Sequence, residues 1–148
     1  MADPGDPFHL ARFRDGQAGA FEGALAELRA GHKQGHWIWF IFPQLEGLGR
    51  SETSRFYGIG SLDEARAYLA DPVLGERLRA CAGALVDGAG GRDAETVLGG
   101  IDAQKVRSSM TLFLRADPGE AAFRAVLDRF YGGRTDPATD ALLARSGA

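Results

Sequence analysis

Cysteine is almost missing from this sequence. Cys81 is the one thiol in 148 residues, so no internal disulfide can form and no cysteine-built zinc site is expected. Lysine is nearly as scarce: of 17 basic residues only Lys33 and Lys105 are lysines, the rest being Arg. No run approaches the roughly 20 apolar residues that a membrane-spanning helix needs, so no membrane partner is expected. Met1–Asp6 has no basic stretch followed by an apolar core, hence no visible signal peptide. These absences together point to the cytoplasm. A net charge of −3 argues against a nucleic-acid partner held on a broad basic face. His9, His32 and His36 are not spaced as a ligand set, so the sequence calls for no metal and no cofactor.

What is present is a globular composition, 45% hydrophobic and 25% charged. A chain of this length buries roughly 70% of its unfolded surface, and residues 1–148 are expected to form a single helical domain. Five of the six prolines follow Asp: Asp3-Pro4, Asp6-Pro7, Asp71-Pro72, Asp117-Pro118 and Asp136-Pro137. Asp caps the orphan amides of a helix start, and Pro fits the first helical position, where its missing N–H is not needed. Helix starts are therefore predicted near Asp6, Asp71, Asp117 and Asp136. Ser61-Leu62-Asp63-Glu64 reads as a capping box, and Asp102 as the cap of a strongly apolar helix to about Leu114. Phe21, Ala24, Leu25 and Leu28 fall on one helical face that Gly31 is placed to end. Leu74, Leu78, Cys81, Ala82 and Leu85 do the same after Asp71, and Phe123, Val126, Leu127 and Phe130 after Asp117. The fold class is all-α: a compact multihelical domain of about seven helices.

One segment resists this pattern. His36-Trp37-Ile38-Trp39-Phe40-Ile41-Phe42, closed by Pro43, has the length and aromatic content of a buried strand. No partner strand stands out, and a lone strand leaves its backbone groups unpaired, so a short buried helix is expected.

These residues also carry a resemblance. His36–Leu45, Gly47-Leu48-Gly49-Arg50-Ser51, Tyr57-Gly58-Ile59, Ser61–Ala65 and Lys105–Phe113 together resemble the signature of a bacterial family of unknown function, domain-of-unknown-function family 1810, sometimes labelled "calpastatin". The resemblance covers nearly the whole chain. It implies a mainly helical single domain and brings no established activity. The calpain inhibitor of that label resembles a disordered repeat protein, whereas this chain has the apolar content of a folded core.

Three places could carry chemistry. Lys105, Ser108 and Ser109 share one arc of a helix whose other faces are apolar. Together they could hold an anion, the ammonium giving charge and the hydroxyls hydrogen bonds. Alternatively Lys105 pairs with an internal carboxylate and the serines bond to carbonyls one turn earlier. His36, Trp37 and the aromatics beside them could wall a stacking pocket with an imidazole at its edge, or simply fill the core. Gln44 and the turn carrying Arg50 could meet a phosphate or carboxylate, or form a surface turn in which Ser51 caps the next helix. Cys81, on an apolar stripe, reads as a small core residue.

Two functions remain open on the sequence. One is a small-molecule binding domain, with or without enzymatic activity, for a phosphate-bearing or otherwise anionic ligand held by His36, Trp37, Gln44, Arg50, Lys105, Ser108 and Ser109. The other is a protein-interaction or scaffold module without catalysis. Catalytic residues and oligomeric state are left open.

Overall fold

The computed structural model describes residues 5–145. Among these the chain is all-α, with ten helices and no strand. Seven have seven or more residues: α1 (Ala11–Gln17), α2 (Phe21–Ala30), α5 (Leu62–Ala70), α6 (Leu74–Gly88), α8 (Gly100–Ala116), α9 (Ala121–Tyr131) and α10 (Pro137–Arg145). Three pieces of four or five residues make up the difference from the expected seven: α3 (Ile38–Ile41), α4 (Glu52–Phe56) and α7 (Ala94–Leu98). The aromatic segment is indeed a short helix, α3, with Ile38 and Ile41 buried.

Side-chain caps explain most starts. Ser51, Ser61 and Asp93 each accept a hydrogen bond from an amide in the first turn of α4, α5 and α7. Asp71 Oδ1 accepts from the amides of Val73 and Leu74, both at 3.0 Å. Three starts differ from expectation. α1 begins at Ala11, five residues after Asp6, whose carboxylate accepts from the Leu10 and Ala11 amides. α8 begins at Gly100, so Asp102 lies in its first turn rather than at its cap. Asp117 stops α8 instead of opening α9, whose cap is Glu120. The intervening Asp117-Pro118-Gly119 forms a turn in which Asp117 Oδ1 accepts from the Gly119 amide at 3.3 Å.

The capping box at Ser61 is also modified. Glu64 Oε1 reaches past Ser61 to the Gly60 amide at 3.0 Å, and Oε2 pairs with Arg12 at 2.6 Å. The Arg12 guanidinium is buried, and its remaining donors go to the carbonyls of Phe8, His9, Phe56 and Gly58. Such saturation is what a buried charge requires. It ties α1 to α4 and α5.

Helices α6 and α8 form the centre. α6 packs on α2, α5 and α9, while α8 packs on α5, α7, α9 and α10. Leu25, Leu28, Leu78, Met110, Phe113 and Leu127 lie in one core, with Phe21, Trp39, Phe40 and Phe130 packed on it half-buried. α2 approaches α6 so closely that a Cβ on Gly88 would collide with the Leu28 carbonyl. Only glycine fits there. α3 packs against α1, α6 and α8, which brings the aromatic segment beside the Lys105 helix.

Candidate functional site

Ile101, Lys105 and Ser108 recur at i, i+4 and i+7 on α8, so one face of that helix carries all three. This face borders a recess of about 530 Å³, within the range of small-molecule sites. Trp39 and Gln44 close it from the α3 side, Leu48 and Gly49 from the following turn, and Asp136 and Ala138 from the start of α10. Gly100 completes the rim at the α8 N-terminus, which has no side-chain cap. A smaller recess of about 230 Å³ shares Gly100 and Gln104 with it and is bordered by Asp93, Glu95, Arg107 and Tyr131.

The electrostatics of the recess turn on the chain's two lysines. Lys105 Nζ lies 4.0 Å from the centre of the Trp39 ring, a cation–π contact, and 3.4 Å from Asp102 Oδ1. Asp102 is shared: its Oδ2 is 2.8 Å from Lys33 Nζ. Lys33 also donates to the Gly35 carbonyl and sits 4.9 Å over the ring of Trp37. Each lysine thus covers one of the two tryptophans, with one carboxylate between them.

Glu27 fixes the loop that carries Lys33. Its Oε1 accepts from the amides of Gln34 and Gly35 and from Trp37 Nε1 at 2.6–3.0 Å. Burial pushes the Glu27 carboxyl up, but these three donors and Lys33 outweigh it and hold the group below its ordinary range.

At the other end of the recess Ser108 Oγ donates to Asp136 Oδ2 at 3.0 Å, with the Gln104 carbonyl at 3.2 Å as a second acceptor. The Ser108 proton is therefore engaged inside the protein. Gln104 Nε2 donates to Asp136 Oδ1 at 3.0 Å. Asp136 also caps α10, accepting from the Thr139 amide at 3.1 Å and the Thr139 hydroxyl at 2.6 Å.

Of the residues singled out in the sequence, Gln44, Lys105 and Ser108 border the recess. Trp37 is buried behind it on Glu27, His36 and Arg50 are exposed away from its lining, and Ser109 is fully buried in α8. The Ser109 hydroxyl has no hydrogen-bond partner among the described residues. Trp39, one of the aromatics read as a possible pocket wall, does line the recess, and Ile101, Gln104 and Asp136 enter as lining residues that sequence reasoning had not placed in a site. For Ile101 the helical spacing to Lys105 was the available signal. Asp136 is a cap as read, and the same carboxylate faces α8.

Among the described residues no three of His, Cys, Asp and Glu gather into a group that could hold a metal ion. None of the described helices is long and apolar enough to cross a membrane.

The family model described as "Protein of unknown function (DUF1810)" matches residues 7–143. The chain belongs to this family. No curated protein matches it. Among solved structures it is similar to the conserved hypothetical protein Rv1873 from Mycobacterium tuberculosis, at 50% identity and a TM-score of 0.92. That match covers 94% of this chain and 99% of the other. Membership in DUF1810 brings no activity with it.

Proposed function

We propose that the recess between α3, α8 and the start of α10 binds a small molecule through an anionic group, a phosphate or a carboxylate, with Lys105 as its charge partner. The observation that carries this reading is the loose pairing of Lys105. Its one carboxylate neighbour among the described residues, Asp102, stands at 3.4 Å and is held more closely by Lys33 at 2.8 Å. An ammonium so placed, bordering an open cavity, keeps donors for an incoming anion. Gln44, whose side chain has no hydrogen bond among the described residues, supplies a further donor and acceptor. Trp39, Leu48, Ile101 and Ala138 supply apolar contact. Ser108 is turned to Asp136 and acts as part of the wall rather than as an anion donor.

The test is a thermal-shift series with inorganic phosphate, glucose 6-phosphate, adenosine monophosphate and benzoate. A ligand that binds only the folded state, at 100 times its Kd, adds about 2.7 kcal/mol, or roughly 5–10 °C in a chain of this size. Lys105→Met should keep the fold and abolish the shift. A shift that survives Lys105→Met sinks the assignment.

A protein-interaction or scaffold role is the second reading, and Ile101 favours it. This residue is 77% exposed at the recess rim. A partner that covers it would make Ile101→Ser weaken that association.

A further inference from the structure

Asp136 gives the recess a second pole. The residue is 3% exposed, and no Lys, Arg or His among the described residues forms an ion pair with it. A buried carboxylate without a counter-charge is costly and must be compensated by hydrogen bonds. Four donors reach it, unevenly: Ser108 Oγ, Thr139 N and Thr139 Oγ1 converge on Oδ2, while Oδ1 receives Gln104 Nε2 alone. A carboxylate offers about four acceptor sites, two on each oxygen. Oδ2 is therefore filled, and Oδ1 keeps one site, on a group that borders the recess.

The two poles are separated along α8. The Lys105 ammonium reaches back to the level of Asp102, whereas Asp136 is bonded between the levels of Gln104 and Ser108. At 1.5 Å rise per residue this is an axial offset of about 6 Å. A molecule carrying only an anion meets Lys105 and is repelled by Asp136, which has no counter-charge. One carrying only a cation meets the reverse.

We infer that the ligand is dipolar: an acid that meets Lys105 and carries, a few bonds away, an ammonium or hydroxyl donor for Asp136 Oδ1. This rests on the recess being a binding site for an anionic group and adds the chemical class of its occupant. Amino acids and aminoalkyl phosphates have the required pairing of charges. A hydrogen bond from an ammonium to a buried carboxylate is stronger than a neutral one, so the ammonium-bearing acids should lead.

Titration calorimetry on the full chain with two matched pairs decides it: phosphoethanolamine against ethyl phosphate, and phenylalanine against 3-phenylpropionate. Within each pair only the ammonium differs. The expected result is at least tenfold tighter binding of an ammonium-bearing member over its partner. Asp136→Asn, which keeps a good helix cap, should reduce that ratio to about one and leave the ammonium-free partner bound as before or better. Should Asp136→Asn fail to fold, Gln104→Leu provides the check: it frees Oδ1 entirely and should tighten the ammonium-bearing probe. Equal binding within both pairs, or a preference that survives Asp136→Asn, overturns the dipolar assignment while leaving the recess an anion site. If none of these four probes and none of the thermal-shift probes binds, the recess reading itself fails, and this inference with it.

Discussion

The two lysines should respond very differently to the same substitution, because they share one carboxylate unequally. The Lys33 side chain is 7% exposed, with Asp102 at 2.8 Å, the Gly35 carbonyl and the Trp37 ring as partners. Lys33→Met removes all three contacts and leaves Asp102 with only the 3.4 Å contact to Lys105. Breaking a buried pair costs about 3–5 kcal/mol. Asp102 is 19% exposed and keeps one cation, so about 2–3 kcal/mol is expected here. Lys105 is 20% exposed, and its removal strands nothing, because Asp102 keeps Lys33. The loss is one cation–π contact of about 1 kcal/mol and a loose pair of 0–1 kcal/mol. A methionine sulfur on Trp39 recovers part of this. Lys105→Met should therefore cost about 0.5–1 kcal/mol. In thermal melts the two variants should differ by roughly 3–10 °C, and urea midpoints should fall in the same order at unchanged slope. The double variant should lose about 1 kcal/mol more than the sum, since only there is Asp102 without a cation. Equal losses, or the reverse order, would refute the unequal sharing and with it the account of why Lys105 is available to a ligand.

Three further outcomes follow from the same contacts. Phe113 is fully buried, with Tyr68 and Phe123 rings at 5.2 and 5.9 Å, so Phe113→Ala should cost about 3–5 kcal/mol in urea unfolding; a loss under about 1 kcal/mol would place it outside the core. Burial pushes the Cys81 thiol up to about 12 despite Arg29 and Arg77, so a disulfide reagent at pH 8 should label it at least 100-fold more slowly in the native protein than in guanidinium, and rapid native labelling would mean that α6 opens readily. The Glu27 carboxyl lies below its ordinary 4.5 in the folded protein, so it stabilises above that pH and the contribution is lost as pH falls through the folded value. Glu27→Gln should flatten the drop in Tm below about pH 4.5, though Asp6 and Asp140, also lowered, leave a residual slope; an unchanged curve would remove Glu27 from the account.

Much of the fold was legible because its determinants are local. Caps at Ser51, Ser61, Asp71, Asp93 and Asp136, and stops at Gly31 and Gly132, depend on residues within one turn of each other. Two of the misplaced starts show where locality ends. At Asp117 the sequence offers the same Asp-Pro signal, but Glu120 can cap α9 while pairing with Arg79 of α6, a partner 41 residues away that no local pattern announces. At Asp102 the competing demand is Lys33, 69 positions earlier, which draws the carboxylate away from the helix end. In both cases a charge is placed by its ion-pair partner rather than by its own turn. Glu64 repeats the lesson with Arg12.

The candidate site was legible only where the helix repeat exposed it. Lys105 and Ser108 stood out as polar groups among apolar neighbours, and Gln44 by its place after the aromatic segment. What the sequence hid is which tryptophan faces the cavity. Trp37 and Trp39 are two residues apart, and in a strand they would share a face. In the short helix that forms, they point apart. Glu27 captures the Trp37 indole N–H at 3.0 Å and buries that ring, which leaves Trp39 half-buried under Lys105. The aromatic at the recess is thus chosen by a carboxylate in α2 that does not line the recess. The scarcity of lysine has its physical counterpart here as well. An arginine fork at position 105 could take both oxygens of Asp102 and lie flat on Trp39, closing the pair. A lysine makes one compact contact and keeps its other donors turned to the recess, so the residue type the composition marked as unusual is the one this geometry needs.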